Sequence, residues 1–288
     1  DNLATNSVVA QLLAGRVPGP VSVTGLSTPT SLWDIAATEI EPGLRMVELR
    51  DRSAQSDVSR AHTDFVANAS HELRTPLAAI IGYVETLLDP KAGGDSATRE
   101  RFLGIVRREA SRLQRLVEDL MSLSRIEAER HDMPQTPVDL AALVSTIVRE
   151  IEAAGDVANP VITEIEERGA VFIKDQGQLT QLIRNLLDNA FKYGAAGSPV
   201  RIGVSETPHG QIMLRVADEG EGIRAEHLPR LTERFYRVDP ARSRSAGGTG
   251  LGLAIVKHIV QRHRGQLDIR SQPGEGTEVR VTFPRPDR

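Results

Sequence analysis

The sequence has no cysteine. That excludes a disulfide scaffold and a thiolate metal site, and it fits a reducing compartment. No apolar run comes near the roughly 18 residues that a membrane-spanning helix needs, and no leader of charged, apolar and small residues is present. The 288 residues start at Asp1 and not at Met, so they read as a soluble, excised fragment of a longer chain. A basic excess is also missing: 35 Lys and Arg stand against 39 Asp and Glu, for a net charge of -4. There is thus no electrostatic reason to expect direct nucleic acid binding. The Walker A lysine and the eukaryotic-type kinase motifs are absent too. What remains has a globular composition, 40% hydrophobic and 26% charged, and a length for about two domains and part of a third at roughly 100 to 200 residues each.

The chain is organised around His71-Glu72-Leu73-Arg74-Thr75-Pro76. Leu73, Leu77, Ile80, Val84 and Leu87 recur at gaps of 4, 3, 4 and 3, which marks one face of a bundle helix. At roughly 100° per residue His71 lies about 200° round from Leu73, so the imidazole is displayed away from that seam. Thr75, four residues on, shares its face. Pro76 cannot donate to the Glu72 carbonyl, so a kink is expected just beyond the histidine. A metalloprotease zinc site would need a second His where Thr75 stands. On these six residues alone, an inert solvated face remains an alternative.

From Leu44 to Thr75 there is neither Gly nor Pro, and from Ala54 the residues favour a continuous helix as far as Leu88. Asp89-Pro90-Lys91-Ala92-Gly93-Gly94-Asp95 reads as a helix-helix loop. A second helix over Ser96–Glu129 carries Phe102, Val106, Leu113, Leu116, Val117, Leu120 and Leu123 as its stripe. A two-helix hairpin cannot cover two such stripes, so a four-helix bundle in a homodimer is expected. Residues 131–137 read as a linker. Asp139 then caps a helix, and strands follow at 161–166, 171–174, 200–206, 212–217, 266–271 and 278–283, with helices at 178–193 and 251–264. Mixed but not strictly alternating elements point to a two-layer sandwich, and the whole chain to the α+β class.

Before the hairpin, a helix at 6–14, turns and short strands at 17–29 and a strand at 44–49 are expected. The ending Asp51-Arg52-Ser53 resembles the end of a PAS sensor domain, where a last strand passes through an Asp-x-Thr/Ser triplet into a helix. Only about half of the usual PAS length is present, and Arg52 departs from the pattern.

His71 to Pro76 matches the phosphoacceptor motif of sensor histidine kinases, and four later clusters resemble the boxes of that family's ATP-binding domain. Asn185, Asn189 and Lys192 recur at gaps of 4 and 3, bringing two amide oxygens and an ammonium to one helical face, with Tyr193 next. Asp218-Glu219-Gly220-Glu221-Gly222-Ile223 offers an acceptor-only carboxylate and two glycines that allow close backbone approach. Glu233-Arg234-Phe235-Tyr236-Arg237 has Thr232 where the family often has a second phenylalanine. Its arginines other than Arg237 read as a solvated charged loop. Gly248-Thr249-Gly250-Leu251-Gly252-Leu253 opens a helix whose N-terminal amides suit phosphate, and Gly276-Thr277 matches the last small box.

The resemblance runs over residues 55 to 285. It implies a partial PAS-like segment at 1–53, an antiparallel hairpin domain for dimerisation and histidine phosphotransfer at 54–130, and an ATP-binding α/β sandwich of the GHKL type, the group that includes gyrase and the Hsp90 chaperones, at 137–286. It further implies ATP with Mg²⁺ held by Asn189 with help from Asn185, phosphate contacts from Lys192 and Arg237, adenine contacts from Asp218, Thr277 and Tyr193, and glycine backbone at Gly220, Gly222, Gly248, Gly250 and Gly252 with Leu251 among them. His71 is the implied acceptor, Glu72 its base and Thr75 a phosphatase residue, with the receiver domain of a response regulator as partner. The flanks Asp64–Ser70 and Gly82–Leu87 look like the phosphate-starvation sensor branch. An adaptor that binds ATP without phosphorylating, or a gyrase-like ATPase, are the other readings.

Overall fold

The computed structural model describes residues 7–17, 19–29, 31–89, 94–129, 136–155, 159–166, 171–173, 175–245 and 247–285. The expected loop at 90–93 and most of the expected linker, 131–135, lie outside these residues. Contacts group the chain into two units, 1–72 and 73–288.

The first unit begins with helix α1, Ser7–Leu13, and an antiparallel meander of β1, Val21–Thr24, β2, Leu32–Glu41, and β3, Leu44–Asp51. Val9 and Leu12 of α1 bury against Val23 and Ile35. Strand β2 was not expected from sequence. Asp51 and Ser53 form the joint into the next helix: Asp51 Oδ1 accepts the Ser53 amide at 2.8 Å, and Ser53 Oγ accepts the Leu32 amide at 2.9 Å. The hydrogen bond from Ser53 holds the Asp51 carboxyl below its ordinary range. Arg52, the departure from the family pattern, has its own partner, Asp34, at 3.1 Å.

Helix α2 then runs as one element over Ser53–Leu88, with Pro76 inside it and buried. In the second unit the end of α2 meets α3, Ser96–Ala128, where Tyr83 and Phe102 pack with ring centroids 5.1 Å apart. Asp95 caps α3 by accepting from the Thr98 amide. Within the chain Leu77, Val84, Val117 and Met121 of this hairpin stay exposed, an apolar surface that one hairpin leaves uncovered.

The rest of the second unit comprises β4, Pro137–Asp139; α4, Leu140–Ala154; β5, Val161–Ile165; β6, Val171–Ile173; α5, Gln176–Tyr193; β7, Val200–Glu206; and β8, Ile212–Asp218. A 3-10 turn at Ala225–Arg230 follows, then α6, Pro240–Ser245; α7, Gly252–Arg262; β9, Gln266–Gln272; and β10, Gly276–Phe283. Five strands form one sheet in the order β5-β7-β8-β10-β9, parallel only between β5 and β7. Short β4 pairs with β6. Alternation along β8 sends Ile212, Leu214 and Val216 into the core, where Leu179, Leu182, Ile183 and Leu186 of α5 and Ile255, Val256 and Ile259 of α7 are buried. This is the expected two-layer α/β sandwich. The face of the sheet opposite the helices carries charges, among them Arg215 paired with Glu278 and Glu164. The sheet thereby sets the ends of β8 and β10 next to the end of α5, where the candidate site lies.

Candidate active site

The 3.6-residue period of α5 puts Leu182, Leu186 and Leu187 inward and leaves Asn185, Asn189 and Lys192 along the rim of a cavity of about 480 Å³. Asn185 gives its Nδ2 to the Gly252 carbonyl at 3.4 Å, which orients its amide oxygen. A Cβ on Gly252 would stand 3.9 Å from Asn189 Nδ2, so α7 starts beside both asparagines. Lys192 Nζ is 2.5 Å from Asp188 Oδ2.

Asp218 ends β8 and faces Thr277 in register on β10. Its Oδ1 accepts the Gly220 amide at 2.9 Å. Burial pushes the Asp218 carboxyl above the ordinary carboxylate range, and the amides of Gly220 and Thr277 draw it partly back. Three glycines are obligatory here, Gly276 among them with φ 86° and a Cβ position 2.0 Å from the Asp218 carbonyl oxygen. Gly222 has φ 69° and a Cβ on it would stand 1.9 Å from the Gln272 carbonyl oxygen; a Cβ on Gly220 would stand 2.1 Å from that of Tyr193.

The opposite wall is the glycine-rich segment before α7. Arg237 Nη2 donates to the Thr249 carbonyl at 2.7 Å, and the Phe235 amide to the Gly250 carbonyl at 2.8 Å. Tyr193 Oη donates to Ser243 Oγ at 3.1 Å. Of the residues singled out from sequence, Asn185, Asn189, Lys192, Tyr193, Asp218, Gly222, Arg237, Gly248, Gly250, Gly252 and Thr277 line the cavity. Leu251 is buried between the lining glycines Gly250 and Gly252, and Gly220 acts on the cavity through its amide hydrogen bond to Asp218.

Sequence reasoning missed a set of residues on α3. Arg115, Glu118 and Asp119 line the same cavity, and Asp119 Oδ2 accepts the Thr249 hydroxyl at 2.7 Å. Burial raises the Asp119 carboxyl, and the Thr249 bond opposes the rise. Ser122 donates to Gln181 at 2.6 Å, and Arg262 Nε to the Glu129 carbonyl at 3.0 Å. Arg234 also differs from its expected place in a solvated loop: it is part-buried and pairs with Glu127 of α3. A polar residue on a helix face gives no sequence signal for which partner it meets across the fold.

His71 and Thr75 are exposed on α2 and Glu72 is half-buried, so the histidine is displayed as its helical phase requires. None of the three lines the cavity.

Two family models match the chain. Residues 61–129 match the His Kinase A (phospho-acceptor) domain, and residues 174–287 match the histidine kinase-, DNA gyrase B- and HSP90-like ATPase. The chain belongs to the sensor histidine kinases. Among similar proteins is the phosphate regulon sensor protein PhoR of Pseudomonas aeruginosa, 42% identical over 234 residues, 79% of this chain and 52% of that protein. The sensor protein kinase WalK of Staphylococcus aureus is 36% identical over 237 residues, 82% of this chain and 57% of that protein. The chain thus spans about half the length of the curated relatives it matches. Among solved structures, the Acinetobacter baumannii histidine kinase AdeS shares the fold with TM-score 0.58 at 24% identity, over 75% of this chain and 98% of that one. Full-length ShkA in complex with AMPPNP gives TM-score 0.55 at 26% identity, over 77% of this chain and 45% of that one. The phosphoacceptor match places His71 of this sensor histidine kinase inside its phospho-acceptor domain, and the ATPase match covers the α5, β8 and α7 walls of the cavity. Among the described residues no helix is long and apolar enough to cross a membrane.

Proposed function

We propose that this chain transfers the γ-phosphoryl of ATP to His71 and passes it on to an aspartate of a response regulator's receiver domain. The observation that carries the reading is the pairing of a displayed histidine, followed directly by Glu72, with a cavity that gathers Asn185, Asn189, Lys192, Asp218 and Arg237. In the first step a ring nitrogen of His71 attacks the γ-phosphorus, the bond to the β,γ-bridging oxygen breaks, and ADP leaves. Glu72 takes the proton from the other ring nitrogen as positive charge builds on the imidazole. In the second step the phosphorus-nitrogen bond breaks and an acyl phosphate forms. Lys192 and Arg237 offset charge on the phosphates. The amide oxygens of Asn185 and Asn189 are hard ligands that suit Mg²⁺, which when bound neutralises phosphate charge. The domain division proposed is 1–53 as a PAS-like segment, 54–130 as the phosphotransfer hairpin and 137–286 as the ATP-binding domain. The exposed apolar residues of the hairpin support a homodimer, and the family resemblance supports a cytoplasmic placement below a membrane tether. The test is incubation with γ-labelled ATP: label on the protein that is lost in acid and kept in alkali is expected, because phosphohistidine is acid-labile. Acid-stable label, or none, contradicts the reading.

Asp218 is proposed to accept from the adenine amino group. Asp218→Asn can turn a donor toward that group, and loss of one charged hydrogen bond, about 1.5 to 3 kcal/mol, lowers ATP affinity about tenfold or more. Because the folded-state pKa of Asp218 is raised, the folded protein holds that proton more tightly than the unfolded chain. Its ionised form is therefore a cost to stability at neutral pH that falls as pH drops. Two results follow. Wild-type ATP affinity declines on acidification from above the ordinary carboxylate range, whereas Asp218→Asn is weak and flat; and the variant's melting temperature at neutral pH is not lowered. Calorimetric titrations across pH check the first, and a variant that keeps the wild-type slope removes Asp218 from the site.

Thr75 is proposed to orient the water that dephosphorylates the regulator, since its hydroxyl both donates and accepts on the face of His71. Thr75→Ala is expected to keep autophosphorylation within about a few-fold of wild type and to slow loss of phosphate from purified phospho-regulator. Rates of both activities on one preparation decide the matter; a parallel fall assigns Thr75 to helix shape before Pro76.

A further inference from the structure

The cavity has a cation that comes from outside the ATPase-like domain. Arg115 lies on α3, in the phosphoacceptor hairpin, yet lines the cavity with Asn189, Lys192 and Arg237. Its guanidinium reaches the glycine-rich wall, where a Cβ on Gly247 would stand 2.7 Å from Arg115 Nη2. The helix is held there one turn further on, where Asp119 accepts the Thr249 hydroxyl at 2.7 Å.

The other cations around the cavity are engaged. Lys192 has Asp188 at 2.5 Å, Arg242 has Glu221, Arg184 has Glu150, and Arg237 donates to the Thr249 carbonyl at 2.7 Å. Arg115 differs from all of them. Among the described residues its one hydrogen bond runs from Nε to the Ser111 carbonyl at 3.4 Å, and it makes no ion pair. Among the described residues neither terminal nitrogen has a hydrogen-bond or ion-pair partner, so both face a cavity whose proposed occupant carries three phosphates. A guanidinium presents a planar fork that pairs two N–H groups with two phosphate oxygens.

We propose that Arg115 is a phosphate-binding residue of the nucleotide site, supplied by the hairpin helix, so that the polyphosphate joins α3 to the glycine-rich wall. This rests on the nucleotide reading of the cavity. Nucleotide affinity and the seating of α3 on this wall are then linked, and each strengthens the other by the same factor.

The experiment is calorimetric titration of the whole 288-residue chain, wild type, Arg115→Ala and Arg115→Lys, with ATP, ADP and adenosine in Mg²⁺ buffer. Removal of a charge-assisted pair is expected to weaken ATP about tenfold or more, to weaken ADP by no more than that, and to leave adenosine unchanged; Arg115→Lys recovers part of the loss. Unchanged adenosine binding also shows that the variant is folded. Equal losses for all three ligands indicate that Arg115 only packs against Gly247 and overturn the proposal, as does an unchanged ATP affinity in Arg115→Ala. Wild type that binds none of the three overturns the nucleotide reading itself, and this proposal with it.

Discussion

His71→Gln is expected to abolish incorporation of label from γ-labelled ATP while ATP affinity stays within about twofold of wild type. Glutamine keeps a polar, helix-compatible side chain of similar reach, but its amide nitrogen has no free lone pair with which to attack phosphorus. The substitution sits on an exposed position of α2, so neither core packing nor the cavity is touched. The effect on chemistry is therefore total and the effect on binding near zero, a split that a general loss of folding cannot imitate. Filter-bound label and a calorimetric titration on the same preparation measure the two. Label that persists in His71→Gln removes His71 as acceptor.

Gly222→Ala is expected to be among the most damaging single-methyl additions in the ATP-binding domain. Gly222 combines a left-handed backbone, φ 69°, with a Cβ position 1.9 Å from the Gln272 carbonyl oxygen. A left-handed alanine costs about 1 to 2 kcal/mol, and forcing a methyl into occupied space costs about 1 to 3 kcal/mol more. The strain cannot be relieved locally. Ile223 donates its amide to Ser271 Oγ at 2.8 Å and Gly274 donates to the Glu221 carbonyl at 2.7 Å, so the two turns are joined on either side of the glycine. Pushing them apart separates Asp218 from Thr277 and opens the floor of the cavity. The melting temperature of the domain is expected to fall by roughly 5 to 15 °C, with loss of measurable ATP binding. Gly274→Ala is the control, because Gly274 has φ 84° but nothing within 4 Å of the added atom. It bears the backbone term alone and is expected to bind ATP within about twofold of wild type. Equal damage from both would assign the effect to backbone handedness and not to the contact with Gln272.

Periodic and capping signals made the helices legible. The seam from Leu73 to Leu87, the Asp139 cap and the asparagine face of α5 each depend on residues close in sequence, and each element formed where those signals lie, α2 at Ser53–Leu88 and α4 at Leu140–Ala154. The lining of the cavity was legible for the same reason: Asn185, Asn189 and Lys192 declare their common face through spacing, and the glycines through their chemistry. What sequence concealed depends on distant partners. Strand β2 carries Asp34, Thr38, Glu39 and Glu41 without clean alternation, and is held by pairing on both sides with β1 and β3. Strand β4 exists because β6 pairs with it. Arg115, Asp119 and Glu127 are ordinary polar residues of a solvated helix face until α7 and the glycine-rich wall meet them. Their roles follow from Thr249 and Arg234, more than a hundred residues further along the chain.

The central claim is that ATP phosphorylates this chain on one histidine. It is tested most directly by mapping the phosphate after reaction with ATP and Mg²⁺, using mass spectrometry at neutral to alkaline pH so that a phosphorus-nitrogen bond survives. Phosphate is expected on His71 and on no other residue. Phosphate on a serine, a threonine or another of the 7 histidines, or its absence from a chain that binds ATP, would contradict it.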